Sequence, residues 1–307
     1  MSDALEVVVE ALLAYWFSPL TLSIVAVCGA SMGTLLYVFL TNARNAKLRV
    51  SLLTGFYGLT IFFWLFVAAS LFLCIIRSNM VAYETSGVQT AAAGAVLVAL
   101  GVSSVLSYVV WRKGAASVLR RFSPRELKAE EAWVQDYANL IAEFEGLPKV
   151  PVVLVESDDP LAMAVGGRGP KVLVSRGLLR LLERDEVETV VAHELMHLKH
   201  HDAEFKVFST VFSRILFFDP FSKFFDPAVH REREYLADEM SGRSTGKPAA
   251  LASALLKIAG YGTPPRAVWG LSIFGKGRGV FSRYPPLRER VRRLLILSDL
   301  LSTDARN

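Results

Sequence analysis

Apolar and polar positions are spread unevenly along this chain. Residues from about 20 to 40, 50 to 76 and 88 to 111 form runs without a single Asp, Glu, Lys or Arg. Each is long enough to cross the hydrocarbon core of a bilayer as a helix. The last run is rich in Ala, Gly and Ser, which lets helices approach closely. Beyond residue 111 the pattern breaks into short periodic pieces. Ser123-Pro124-Arg125-Glu126 carries the cap, first-turn proline and capping-box glutamate of a helix start. That helix is expected to run to about Glu145 and stop at Gly146. Val152–Val155 and Lys171–Val174 predict short strands on either side of the Gly166-Gly167-Arg168-Gly169-Pro170 turn. Ser175 opens a short helix to about Leu182, and Asp185, with Glu188 after it, caps another. Pro248 to Ala259 and Pro286 to about Leu297 predict the last helices, with a loop over 261–280 that takes in the Gly275-Lys276-Gly277-Arg278-Gly279 run. The expected fold is mainly α. A helical transmembrane region, 1–111, precedes a mixed α+β domain with a small sheet, 112–307.

Composition and charge sharpen this division. The chain has 307 residues, 52% of them hydrophobic, and a mean hydropathy of +0.38, which excludes a disordered chain and an ordinary soluble enzyme. Residues 1–111 hold 8 of the 63 acidic and basic residues and are net neutral, so the whole +5 lies in the remainder. Asp3, Glu6 and Glu10 rule out the basic start of a signal peptide. Arg44, Lys47 and Arg49 follow the first run, and Arg112, Lys113, Arg120 and Arg121 follow the third, whereas Arg77 and Glu84 balance after the second. Positive loops stay in the cytoplasm. The predicted topology is therefore a multi-pass plasma-membrane protein with its N-terminus outside and residues 112–307 in the cytoplasm. The basic clusters suit anionic lipid headgroups and not nucleic acid. Cys28 and Cys74 fall at different depths of two runs, so both are expected to be unbridged packing residues. Phe205–Phe225, rich in phenylalanine and broken by Arg214 and Asp219-Pro220, is expected to form an apolar hairpin dipping into the membrane.

All five histidines lie between His193 and His230, and His193-Glu194-Leu195-Met196-His197 is the segment with chemical content. Residues four apart share one face of a helix, so the two imidazoles converge on one point. That spacing suits two positions of tetrahedral zinc, with the neighbouring glutamate as general base. At 100° per residue, Val187, Val190, Val191, Leu195 and Leu198 form one arc, and Glu194 falls inside it. Burying a lone carboxylate costs several kcal/mol, roughly, so it must face a polar pocket. A third ligand is expected from Arg231-Glu232-Arg233-Glu234-Tyr235-Leu236-Ala237-Asp238. Glu234 and Asp238 share a face there, so one can bind metal while the other accepts from a ligating histidine. His200 and His201 read as surface or interface residues, and His230 as a weaker alternative ligand.

At these residues the chain resembles the membrane-bound gluzincin metalloproteases, namely the HtpX family and its relative, the type I CAAX prenyl proteases. The similarity runs from about 120 to 297 and rests on the strand pair, VVAHELMHLKHHD (190–202), EYLAD (234–238) and RYPPLRERVRRL (283–294). It implies a zincin-type domain holding one zinc ion through His193, His197 and Glu234. Glu194 is then the base, Asp238 the partner of a ligating histidine, and Asp202 a structural acid. The chain departs from the family at Leu161-Ala162-Met163-Ala164, where a substrate-positioning Asn is usual. It departs again at Tyr284, where His is usual; a tyrosine hydroxyl can still donate to an oxyanion. The 37 positions from His197 to Glu234 are similar instead to the beta-lactam-sensing receptor proteases, which also place three spans ahead of the protease.

The expected activity is zinc-dependent endopeptidase cleavage of membrane or membrane-proximal proteins, with quality control implied by the HtpX resemblance. The substrate is expected to lie extended along Lys171, Val172, Leu173 and Val174 as an added strand. The rival expectations are a signalling or scaffold protein with a structural zinc site and a CAAX-type prenyl-protein protease. Self-association is left open.

Overall fold

The computed structural model describes residues 13–41, 62–71, 122–167, 169–202, 220–261 and 284–304, with isolated positions between them. The chain divides into two compact units, Met1–Tyr108 and Val109–Asn307.

In the first unit, Pro19–Thr41 forms α1, an uncharged helix of 23 residues. Ser18 opens it: its hydroxyl accepts from the Thr21 N–H at 3.3 Å. Leu20, Leu22, Val27 and Tyr37 lie exposed along α1, and Cys28 is buried and free. Residues 62–71 are also helical, with Phe66 and Ala69 buried against Ile24, Phe62 and Leu65. Most of the expected 88–111 span lies outside the described residues, as does Cys74. Among the described residues no helix is long and apolar enough to cross a membrane.

The second unit is mainly helical around a small mixed sheet. Its strands are β1 (Arg125–Glu126), β2 (Val152–Val155), β3 (Ala162–Val165) and β4 (Lys171–Ser175), in the order β1-β2-β4-β3. β4 runs parallel to β2, with Val152 opposite Val172, and antiparallel to β3, with Met163 opposite Leu173. The helices are α2 (Ala132–Phe144), α3 (Arg176–Leu181), α4 (Arg184–Lys199), α5 (Pro220–Thr245), α6 (Pro248–Tyr261) and α7 (Leu287–Asp304). One core joins the inner faces of β2, β3 and β4 to α2, α4, α5, α6 and α7.

Two expectations are corrected. The helix expected from Ser123 starts later. Arg125–Glu126 pairs instead with Val153 and Leu154 as the edge strand β1. The Arg125 guanidinium fixes that turn by bonding Glu131 at 3.2 Å and Glu156 at 2.6 Å. Glu131 then accepts from the Lys128 N–H at 2.9 Å, which moves the helix start to the Ala129–Glu131 turn and α2. Likewise α4 begins before Asp185, because Glu186 accepts from the Glu183 N–H at 2.8 Å. The short helix α3 is opened as expected by Ser175, whose hydroxyl accepts from the Leu178 N–H at 3.1 Å. Of the expected hairpin 205–225, residues 205–219 lie outside the described ones, and 220–225 form the first turns of α5.

α4 sits at the centre of this unit. It packs on α2, α5, α6 and β3, and Glu186 through Leu198 are all buried. A helix wrapped on every side can carry polar groups only where they meet partners. The polar groups on α4 therefore define the site.

Candidate metal centre

His193, Glu194 and His197 project from the buried stretch of α4, and Glu234 and Asp238 from the facing stretch of α5. The His193 and His197 Nε2 atoms lie 3.1 Å apart. Glu234 closes the triangle, with Oε2 3.6 Å from His193 Nε2 and Oε1 3.5 Å from His197 Nε2. All three residues are buried, and their ligand atoms fall within 4.8 Å of one another.

The outer nitrogens explain which atoms point inward. His197 Nδ1 lies 2.8 Å from Asp202 Oδ2, and His193 Nδ1 lies 3.1 Å from Asp238 Oδ1. A carboxylate at Nδ1 keeps the proton there and turns the Nε2 lone pair to the other side. Two such lone pairs and a carboxylate then converge on a space that only a positive charge can occupy favourably. Bonds of 2.0–2.1 Å to a tetrahedral zinc would set neighbouring ligand atoms about 3.3 Å apart, close to the spacing seen. The His193 imidazole responds to the same field: burial opposes its protonation, yet Asp238 and Glu234 carry its pKa up to about 9. Carboxylates Glu194, Asp202, Glu234 and Asp238 outnumber the guanidiniums of Arg233 and Arg290 in this constellation, which suits a divalent cation. The residues fit a zinc-type ion.

Glu194 is buried beside this triangle. Its Oε2 accepts the Ala164 N–H at 2.6 Å, while Oε1 has no hydrogen-bond partner among the described residues. A buried carboxylate oxygen without a donor marks the place where a water or substrate group belongs.

The remaining sequence-expected residues separate. Asp202 reaches His197 because the chain turns sharply after α4, with His201 in the left-handed region at φ 56°. Asp202 is also held by Arg233, the residue before Glu234. Tyr284 is half-buried in the turn before α7, where its N–H donates to the Ser282 hydroxyl at 3.2 Å. Arg231 secures that turn by donating to the Ser282 carbonyl at 2.6 Å. His230 is buried one turn before Glu234, and His200 Nε2 lies 3.0 Å from Met240 Sδ. Lys171, Val172, Leu173 and Val174 do not form an edge. They lie in β4, bonded to β2 on one side and β3 on the other, so their backbone cannot receive an added strand. The strand beside α4 is β3, whose outer side carries the Ala164 N–H to Glu194.

Sequence reasoning missed β3, Arg233 and Arg290. Ala162–Val165 is too short and too small in side chain to stand out. Arg290 had a signal: it lies in the helical stripe of Leu287, Leu294 and Leu297, the same buried-charge anomaly that marked Glu194. In the structure it grips Asp238 with two bonds of 2.7 Å.

The model of the BlaR1 peptidase M56 family matches residues 77–269. The chain belongs to this peptidase family. It is similar to the protease HtpX homologs of Pyrococcus abyssi (32% identical over 66% of this chain and 86% of the relative) and Pyrococcus furiosus (31% identical over the same shares). A solved structure, S. mikatae Ste24p, aligns over 81% of this chain and 86% of its own at 15% identity and a TM-score of 0.44. The chain is accordingly a metalloprotease, and the triangle of His193, His197 and Glu234 is the group of described residues able to hold its metal.

Proposed function

We propose that this metalloprotease is an integral-membrane zinc endopeptidase that cleaves membrane or membrane-proximal proteins in quality control. The convergence of His193, His197 and Glu234 beside Glu194 carries this proposal. His193, His197 and Glu234 would hold the zinc ion, with the two Nε2 atoms and the Glu234 carboxylate facing the same space. When bound, the ion would supply Lewis acidity for activating water and polarising the scissile carbonyl. Glu194 takes the proton of the attacking water on its open Oε1 and passes it to the leaving amine. Asp238 and Asp202 keep both imidazoles in the tautomer that faces inward. Tyr284 donates to the oxyanion.

An extended substrate pairs with the outer side of β3. In an antiparallel pair, alternate residues point their N–H and C=O groups away from the partner strand. Ala164 is one of these, since its N–H meets Glu194 and not β4, and Ala162 shares its side. A substrate strand laid there brings its backbone past Glu194.

The membrane region of three spans rests on the uncharged sequence runs 20–40, 50–76 and 88–111, and the apolar side chains Leu20, Leu22, Val27 and Tyr37 exposed along α1 suit lipid contact. The positive loops support an N-terminus outside and a cytoplasmic protease domain. A site with three protein ligands and an open neighbouring carboxylate favours catalysis over a structural zinc, which closes its coordination with a fourth protein ligand.

The deciding experiment is purification of the full chain in detergent, followed by zinc analysis and cleavage of an unfolded membrane protein with and without chelator. About one zinc per chain is expected, with chelator-sensitive cleavage that zinc restores. Bound zinc with neither substrate cleavage nor self-cleavage would favour a scaffold. Cleavage confined to a prenylated peptide would assign the chain to CAAX-type processing.

A further inference from the structure

We propose that Arg290, on the C-terminal helix α7, is a positioning residue of the metal site that acts through Asp238 on His193. This rests on His193, His197 and Glu234 holding a divalent cation. Arg290 is buried, and its guanidinium meets Asp238 as a fork: Nε lies 2.7 Å from Oδ2 and Nη2 lies 2.7 Å from Oδ1. A two-point contact fixes the plane of the carboxylate as well as its place. Asp238 Oδ1, so fixed, is the oxygen that lies 3.1 Å from His193 Nδ1. The third guanidinium nitrogen, Nη1, lies 3.4 Å from Glu234 Oε2. One side chain of α7 therefore touches the carboxylate that orients one ligand and also touches another ligand itself.

Packing does not ask for an arginine here. On the same face of α7, Leu294 lies in the apolar core and Leu297 is buried, and an apolar residue at 290 would spare the desolvation of a charge. The two-point contact with Asp238 is what a guanidinium supplies in that stripe and an apolar side chain would not.

The second imidazole has a parallel but different support. Asp202 receives Arg233, which stands on α5 beside Glu234. The His197 support thus comes from the turn directly after α4 and from α5, whereas the His193 support is completed by a third helix, α7. α7 is in this sense a component of the metal centre and not only a lid on the core.

The test uses the full chain in detergent, with Arg290→Met, Arg290→Lys, Asp238→Asn and the double variant Arg290→Met/Asp238→Asn. Zn2+ affinity is read by competition with a chromophoric chelator, site geometry by the visible spectrum of the Co2+ form, and fold by metal-free thermal unfolding. Arg290→Met is expected to lose about 10- to 100-fold in Zn2+ affinity and to change the Co2+ spectrum. Arg290→Lys recovers only part of this loss, since an ammonium cannot make the fork. Arg290→Met adds little in the Asp238→Asn background. Unchanged Zn2+ affinity with a lowered melting temperature would overturn the proposal, as would full additivity of the two substitutions or complete rescue by lysine. If Arg290→Met does not fold, Arg290→Lys decides: an unaltered Zn2+ affinity and Co2+ spectrum refute the assignment. Failure of the underlying metal site is distinguished by the wild type, which would then bind no Zn2+.

Discussion

The Ala164 N–H donates to Glu194 Oε2 at 2.6 Å, so the outer side of β3 and the carboxylate next to His193 are joined directly. This contact orients Glu194 with Oε1 open. Glu194→Gln retains an amide oxygen that can accept the same N–H, so fold and metal binding are expected to persist. Proton transfer is lost, and kcat/KM on a peptide substrate is expected to fall by about 10²- to 10⁴-fold with zinc content unchanged. Full activity in that variant would remove Glu194 from the mechanism.

The metal centre should take up zinc in competition with protons. With its pKa raised to about 9, the metal-free His193 imidazole is protonated at neutral pH, and binding must expel that proton. Apparent zinc affinity is expected to rise about tenfold per pH unit between pH 6 and 8 from this group alone. Calorimetry in buffers of different ionisation enthalpy measures the proton released. His193→Ala, His197→Ala and Glu234→Ala should each lower zinc stoichiometry.

Much of this centre was legible in the sequence, for a physical reason. HExxH is a local pattern, and helix geometry alone brings its side chains together. Glu234 and Asp238 were found the same way, as a pair sharing one helical face. What escaped were relations between distant segments. Whether Lys171–Val174 is an edge depends on where Ala162–Val165 pairs, and a four-residue run with two alanines and one β-branched residue carries no strand signal strong enough to show it. The start of α2 was misplaced because Arg125 has partners at Glu131 and Glu156, the latter more than thirty positions away, which outweigh the local capping pattern. Arg290 was visible as a charge in an apolar stripe, but its partner Asp238 lies 52 positions earlier.

Acid should weaken the second unit through Glu186, at the start of α4. Burial raises its pKa, but Lys257 at 2.9 Å, Ser253 at 2.6 Å and the Glu183 N–H at 2.8 Å outweigh it and hold it below 4.5. A carboxyl depressed in the folded state stabilises it fully above the unfolded value and loses that contribution as pH falls through the folded value. The melting temperature is expected to hold steady above about pH 5 and to fall below 4.5. Glu186→Gln should lower it at neutral pH and flatten its acid slope. An unchanged slope would assign the acid loss to other groups.

Gly177 tests packing away from the metal. A Cβ there would sit 1.9 Å from the Asp158 carbonyl oxygen, because the chain at Ser157 and Asp158 lies directly on the start of α3. The Gly177 N–H donates to the Ser157 carbonyl at 2.9 Å, which holds that approach. Gly177→Ala is expected to cost about 1–3 kcal/mol by overpacking. Thermal unfolding should show the loss while zinc affinity stays at the wild-type value; a stable Gly177→Ala protein would mean that this loop can lift away.

His201 links backbone conformation to the metal site. It sits in the left-handed region at φ 56°, and the reversal it makes turns Asp202 back to His197. Glycine adopts that conformation without penalty, whereas a β-branched residue there costs about 1–2 kcal/mol. His201→Gly is therefore expected to leave zinc affinity unchanged. His201→Ile should lower both the melting temperature and zinc affinity, because the strain is relieved by moving Asp202 away from the imidazole it orients. Chelator competition on the two variants separates the effects. If His201→Ile lost stability but kept its affinity, the placement of Asp202 would depend on Arg233 and not on the turn.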